Sequence, residues 1–271
     1  MTGLQGFVDH ERAVLRMEGA EVRAVLQNTV TNDIGRLAPG RAVYAALLTP
    51  QGKYLFDFLL VEAADGAVLV DTPAARAEAL GQRLKMYCLR RDARIGGAAG
   101  LGVALAWGGA PAAAGDAIVV PDPRNPALGW RLYAADPAAA LAAAGAAQAS
   151  PAAWQALRVA HLVPESGVEL VPEQTFILEA NFEALNGVDL KKGCFVGQEV
   201  TARMKHKTEL RRRLVQVRVE GRAPPGTPVT AGGRPAGTLF TQADGRGLAH
   251  LRLDRAQGPL DAGAARLTYE G

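Results

Sequence analysis

The sequence predicts an α+β protein that ends in a small β-barrel, and three observations carry that prediction. The N-terminal half runs strand, helix, hairpin strands, helix, an order that does not match the βαβ alternation of a wound parallel sheet. After Lys207 the texture changes to short alternating segments separated by Gly/Pro turns, the mark of a barrel. With 271 residues, 49% of them hydrophobic, the chain can also bury a sizeable core.

AVLRMEG (13–19) reads as a short strand. In AEVRAVLQNTVTNDIG (20–35), Val22, Val25, Leu26 and Val30 recur at helical spacing and Gly35 is a stop signal. The run from Ala42 to Pro73 predicts three antiparallel strands, with turns at Pro50-Gln51-Gly52 and Asp65-Gly66. TPAARAEALGQRLKMY (72–87) predicts a helix with Thr72 as its N-cap and Pro73 at its first position. Residues 93–135 predict more strands, interrupted by the irregular PDPRNPALG. An Ala-rich helix capped by Asp136 follows at 136–149. In SPAAWQALRVAHLVP, Trp154, Leu157, Val159 and Leu162 gather on one side of an amphipathic helix. Loop and a short helix are expected at 167–185, and a helix over VGQEVTARMKHK. LRRRLVQVRVEG then alternates apolar and charged residues, as a half-exposed strand does. The expected division is an α+β region of two interleaved subdomains over 1–208 and a barrel over 209–271.

Composition narrows the function classes. The longest apolar candidate, GGAAGLGVALAWGGAPAAAG, is mostly Gly and Ala and is broken by Pro111, so no membrane span is expected. The start shows no secretory pattern, and a cytoplasmic location is the expectation. Cys88 and Cys194 form no CxxC pair and the four histidines are scattered, which argues against a disulfide framework or a metal site. Residues 191–213 hold eight Lys and Arg against Glu199 and Glu209, while the whole chain is only +3. That local excess suits an anionic partner.

The chemistry gathers in LKKGCFVGQEVTAR. Gly193 and Gly197 flank Cys194 and permit a tight turn or a close approach to a ligand. The cysteine precedes an expected helix N-terminus, and Lys191 and Lys192 lie beside it. Both features favour a reactive thiolate. Cys88 has no such setting and reads as structural.

The Lys-Gly-Cys-aromatic-x-Gly-Gln-Glu order, together with QNTVTNDIG and ALLTPQGKYLFDFLLV, resembles the YgfZ-type folate-binding proteins, relatives of the glycine-cleavage T-protein that take part in iron–sulphur cluster assembly and repair. The resemblance implies a cloverleaf of three subdomains with a C-terminal barrel, and tetrahydrofolate as the cofactor, bound in a central opening. Carried onto this sequence, it implies Cys194 and Lys192 as the reactive pair and Trp154 and Asp57 as folate-cavity residues. Gly193, Gly197, Gln198 and Glu199 would shape and bond the motif loop. Folate and iron–sulphur assembly or client proteins are the implied partners. A second family tryptophan falls near Arg12, so that contact is lost or replaced. T-protein relatives carry an Asp-Asp pair where this chain has Phe56-Asp57. Phenylalanine cannot relay a proton, which disfavours aminomethyl transfer. A folate-dependent one-carbon transferase and a tRNA-modification accessory protein remain the alternatives to a folate-binding assembly factor.

Overall fold

The computed structural model describes residues 3–207 and 209–271. In chain order the elements begin with β1 (Gln5–Val8), β2 (Arg12–Glu18), α1 (Val22–Thr29), β3 (Val43–Leu48), β4 (Tyr54–Glu62), β5 (Val68–Pro73) and α2 (Ala74–Tyr87). They continue with β6 (Arg94–Gly97), β7 (Gly102–Trp107), β8 (Ile118–Pro121), β9 (Trp130–Ala134), α3 (Pro137–Ala143), β10 (Ala147–Gln148), α4 (Pro151–Ala160) and α5 (Gln198–Lys207). The last strands are β11 (Arg212–Glu220), β12 (Thr227–Ala231), β13 (Arg234–Ala243), β14 (Arg246–Arg252), β15 (Leu260–Ala262) and β16 (Ala265–Thr268). No helix among the described residues is long and apolar enough to cross a membrane.

The chain forms two compact units. The first comprises residues 1–48, 56–151 and 185–196 and holds two five-stranded sheets, ordered β3-β4-β5-β2-β6 and β10-β1-β7-β9-β8. Every residue of β3 is buried, and so is every residue of β4 except its last, which is why these strands read as continuous apolar runs. The second unit comprises 49–55, 152–184 and 197–271. Its strands close into a barrel in the order β11-β14-β13-β12-β15-β16, with β16 pairing back onto β11. The alternation in Arg212–Glu220 is that of a barrel strand, with Val215, Val217 and Val219 in the core beside Leu239, Leu251 and Leu267. On the outside of the barrel, Val159 of α4 covers Leu214 and Leu248.

Several boundaries differ from expectation. The first helix ends at Thr29, because Val30 is extended and the polar run after it bonds outward instead of continuing the ladder. Thr72 does not cap α2; it is buried at the end of β5, its hydroxyl donates to the Asp57 carbonyl at 3.4 Å, and Pro73 occupies the cap position. Residues 167–185 form successive turns and no regular helix. Asp136 does cap α3, accepting from Ala139 N at 2.9 Å.

The two sheets of the first unit are joined by buried charge. Asp71 on β5 accepts from Arg12 Nε at 2.6 Å, Arg131 Nη1 at 2.7 Å and Tyr133 Oη at 2.8 Å. Arg131 Nε also donates to Asp122 at 3.0 Å, and Asp122 receives a two-pronged contact from Arg124 at 2.9 and 2.7 Å. Burial pushes the Asp71 carboxyl up, but Arg12 and Arg131 outweigh it and hold the group below its ordinary range. Asp122 is lowered on the same balance, through Arg124 and Arg131.

Asp71→Ala removes the carboxylate of Arg12 and leaves Arg131 with Asp122 alone. We expect a loss of about 3–5 kcal/mol in urea unfolding, whereas Asp254→Ala, at the exposed Arg252 pair, leaves the midpoint where it was. Because both buried carboxyls are lowered by folding, the stability they contribute is present above the ordinary carboxylate pKa and is lost as the pH falls below it. Unfolding curves at pH 7 and pH 3 check that sign.

Candidate functional site

The motif segment is organised by the polar run that follows α1. Thr31 Oγ1 donates to the Gly187 carbonyl at 2.7 Å, and Asp189 N donates to the Thr31 carbonyl at 3.0 Å. Asn32 Nδ2 reaches both the Asn186 carbonyl at 2.6 Å and the Tyr44 carbonyl at 2.8 Å. Arg36 pairs with Asp189, and the Asp189 side chain accepts from Lys191 N at 2.7 Å. Residues 186–192 are thereby pinned to residues 27–36. Beside the seam lies a cavity of about 300 Å³ lined in part by Arg36, Arg41, Tyr44, Pro123 and Asn186.

Lys192 has a specific place in this seam. Its ammonium donates to the carbonyls of Gln27 and Val30, each at 2.6 Å, where α1 leaves acceptors unsatisfied at its end. It also lies 5.5 Å from the centre of the Phe195 ring, which is buried. Desolvation lowers the Lys192 pKa to about 8 against the opposing pull of Asp33 and Asp189. The ammonium that the sequence set beside Cys194 is therefore bonded to the end of α1.

Cys194 is exposed, and Cys88 is buried. Burial pushes the Cys88 thiol up, in keeping with a structural residue. Gly193 has φ +102°, a backbone conformation that L side chains rarely adopt. A Cβ there would meet nothing within 4 Å, so the glycine serves the turn and not a close contact.

Asp57 lies on β4 and is buried, accepting from Tyr44 Oη at 3.0 Å. Phe56 is buried as well, with the Arg76 guanidinium 4.7 Å from its ring centre. The position near which the family tryptophan fell is Arg12, whose guanidinium serves the buried Asp71.

The remaining candidates belong to the second unit. Trp154 is half-buried on α4. Gly197 precedes α5 and its carbonyl accepts from Thr201 Oγ1 at 3.1 Å. Gln198 is half-buried and Glu199 exposed in the first turn of α5. The turn at Gly52 fits closely against this helix start: with φ +75°, its added Cβ would meet Val200 Cβ at 2.9 Å and the Gly197 carbonyl at 3.3 Å. Among the described residues, no three His, Cys, Asp or Glu side chains gather as a metal site. Sequence reasoning missed Gln27, Thr31, Asn32 and Asp189; for Thr31 and Asn32 the signal available was a polar run directly after an apolar helix face.

The fold defines the class. The glycine-cleavage aminomethyltransferase T of Bartonella henselae superposes with a TM-score of 0.79, covering 98% of this chain and 85% of that one at 15% identity. The α+β T-protein fold with a small C-terminal barrel is therefore the one adopted. Residues 211–270 match the family model for the CAF17 C-terminal β-barrel domain. The mouse mitochondrial iron–sulfur cluster assembly factor IBA57 is 32% identical over 92% of this chain and 78% of its own length. The human protein is 30% identical with the same coverage, and a homologue from Phaeosphaeria nodorum is 28% identical. The chain belongs to the IBA57 family, which is also the family of the YgfZ-type proteins. These relatives are named as mitochondrial, which overturns the cytoplasmic expectation. That expectation rested only on the lack of a secretory pattern, which says nothing about other compartments.

Trace acylation of the folded protein should show Lys192 titrating with a midpoint near 8, below the ordinary lysine value of 10.5. Labelling in denaturant should return it to the ordinary value; an unshifted lysine in the folded state would contradict the geometry of the α1 end.

Proposed function

We propose that this protein is a tetrahydrofolate-binding factor in iron–sulfur cluster assembly and that it acts through the Cys194 thiol. The observation that carries this reading is the contrast within one short segment. Residues 186–192 are held by backbone and side-chain bonds, whereas Cys194 two residues later is exposed. A thiol held on a fixed base and open to solvent can meet a second macromolecule. The names of the relatives, as iron–sulfur cluster assembly factors, supply the cargo. Four ligands are the rule for a cluster, so one cysteine serves as a shared ligand, the partner completing the set.

The residues present suit folate one by one. The half-exposed indole of Trp154 offers a stacking face for a pterin. Asp57, buried and oriented by Tyr44, can accept from a pterin N–H group. When bound, tetrahydrofolate supplies one-carbon chemistry. Phe56 gives no acid–base group at the position where T-protein relatives carry the first aspartate, so this chain's residues favour binding over aminomethyl transfer.

Two measurements test the reading. Cys194→Ser should fail to restore iron–sulfur enzyme activity in a depleted strain while keeping the wild-type unfolding midpoint; full restoration would sink the cysteine role. Tetrahydrofolate should quench tryptophan fluorescence saturably, and Trp154→Phe should weaken binding by about tenfold, the loss of roughly 1.4 kcal/mol. Unchanged affinity in that variant would remove Trp154 from the site.

A further inference from the structure

The outer face of the barrel carries a cavity of about 310 Å³ that the proposed function does not use. Its floor follows from strand alternation. On β14, Ala249 and Leu251 enter the barrel core, so Leu248, His250 and Arg252 face outward. Leu248 is covered by α4, while His250 and Arg252 line the cavity. Thr238 of β13 pairs with His250, and Arg212 of β11 stands directly opposite Arg252. Arg255 adds a further guanidinium, and Glu179 also lines the cavity.

Two features of this cavity are unmatched among the described residues. Like charges directly opposite on neighbouring strands are destabilising, and Arg212 and Arg252 are so placed. Arg252 bonds Asp254 at 3.2 and 2.9 Å, but Arg212 has no ion-pair partner among the described residues. Glu179 is the carboxylate that feels Arg212, and burial raises its pKa despite Arg212 and Lys53. The second feature is His250, whose buried Nε2 has no hydrogen-bond partner among the described residues. Its ring meets Phe240 edge-on at 5.6 Å. Burial lowers its pKa to about 4, with Glu169 opposing and Arg212 assisting, so the imidazole is neutral near pH 7. A buried polar atom without a partner is destabilising, and a ligand in the cavity would supply one.

We propose that this cleft binds a small oxyanion, a carboxylate or a phosphate, held by Arg212 and Arg255, with a hydroxyl or second oxygen function of the ligand bonded to His250 Nε2. The planar guanidinium fork matches such oxygens. Cys194, Asp57 and Trp154 take no part, so the proposal stands or falls independently of the folate reading.

Imidazole ¹H–¹⁵N spectra of the full chain test it, with the His250 signal assigned from its loss in His250→Gln. Inorganic phosphate and succinate are titrated separately at constant ionic strength, with chloride as the control. A saturable shift of His250 with either anion, and not of His10, His161 or His206, supports the proposal; which anion acts identifies the class. Arg212→Ala with Arg255→Ala should weaken binding about tenfold or more, and Arg212→Lys should retain part of it. The proposal is overturned by the absence of saturable shift, by an equal shift in chloride, or by undiminished binding in a double variant that keeps the wild-type thermal midpoint.

Discussion

The chain of buried charge from Arg12 through Asp71, Arg131 and Asp122 to Arg124 is the constraint on which the first unit depends. It joins β2 and β5 of one sheet to β9 of the other. Ions of this kind add little over a well-packed apolar substitute, yet each is costly to leave alone. Their effect is therefore on geometry: neither sheet can slide without separating a pair. Tyr44 stands next in line, with the Arg124 guanidinium 5.6 Å from its ring and its hydroxyl on Asp57. The Asp57 carboxylate is thus oriented through a side chain that also lies against the buried charge.

The same economy of parts governs the motif segment. Gln27 comes from the last turn of α1 and Thr31, Asn32 and Arg36 from the segment after it, and each meets a partner in residues 186–192. Two stretches more than 150 residues apart are therefore one structural element. Lys192 completes the junction by serving the carbonyls at the end of α1. This explains why a lysine occurs where a small residue would have sufficed for the turn, and why its proton is held less tightly than in an exposed lysine.

Much of this was legible from residues. Alternation in Arg212–Glu220 and the turns after it gave the barrel, because one face of such a strand must be apolar whatever its neighbours are. The hairpins around Gly52 and Gly66 were legible because only particular residues tolerate those turns. The buried charge was not, since Arg12, Arg124 and Arg131 look like ordinary surface arginines until the sheets meet over them. Thr72 misled for a related reason: a threonine before proline is a good cap in isolation, but here the strand needed it first. Lys192 was placed by proximity in sequence, and only the fold reveals that its long stem carries the charge to another helix.

Closure of the barrel limits how that part of the molecule can recognise anything. β11 pairs with β14 on one side and, over Arg218–Glu220, with β16 on the other, while the Leu214 amide and carbonyl are taken by Glu179 and Asn181. An extended peptide joining the ring as an added strand would have to break a pairing already made. Recognition there falls to outward-pointing side chains, whose identity can drift through evolution while the ring beneath them stays the same.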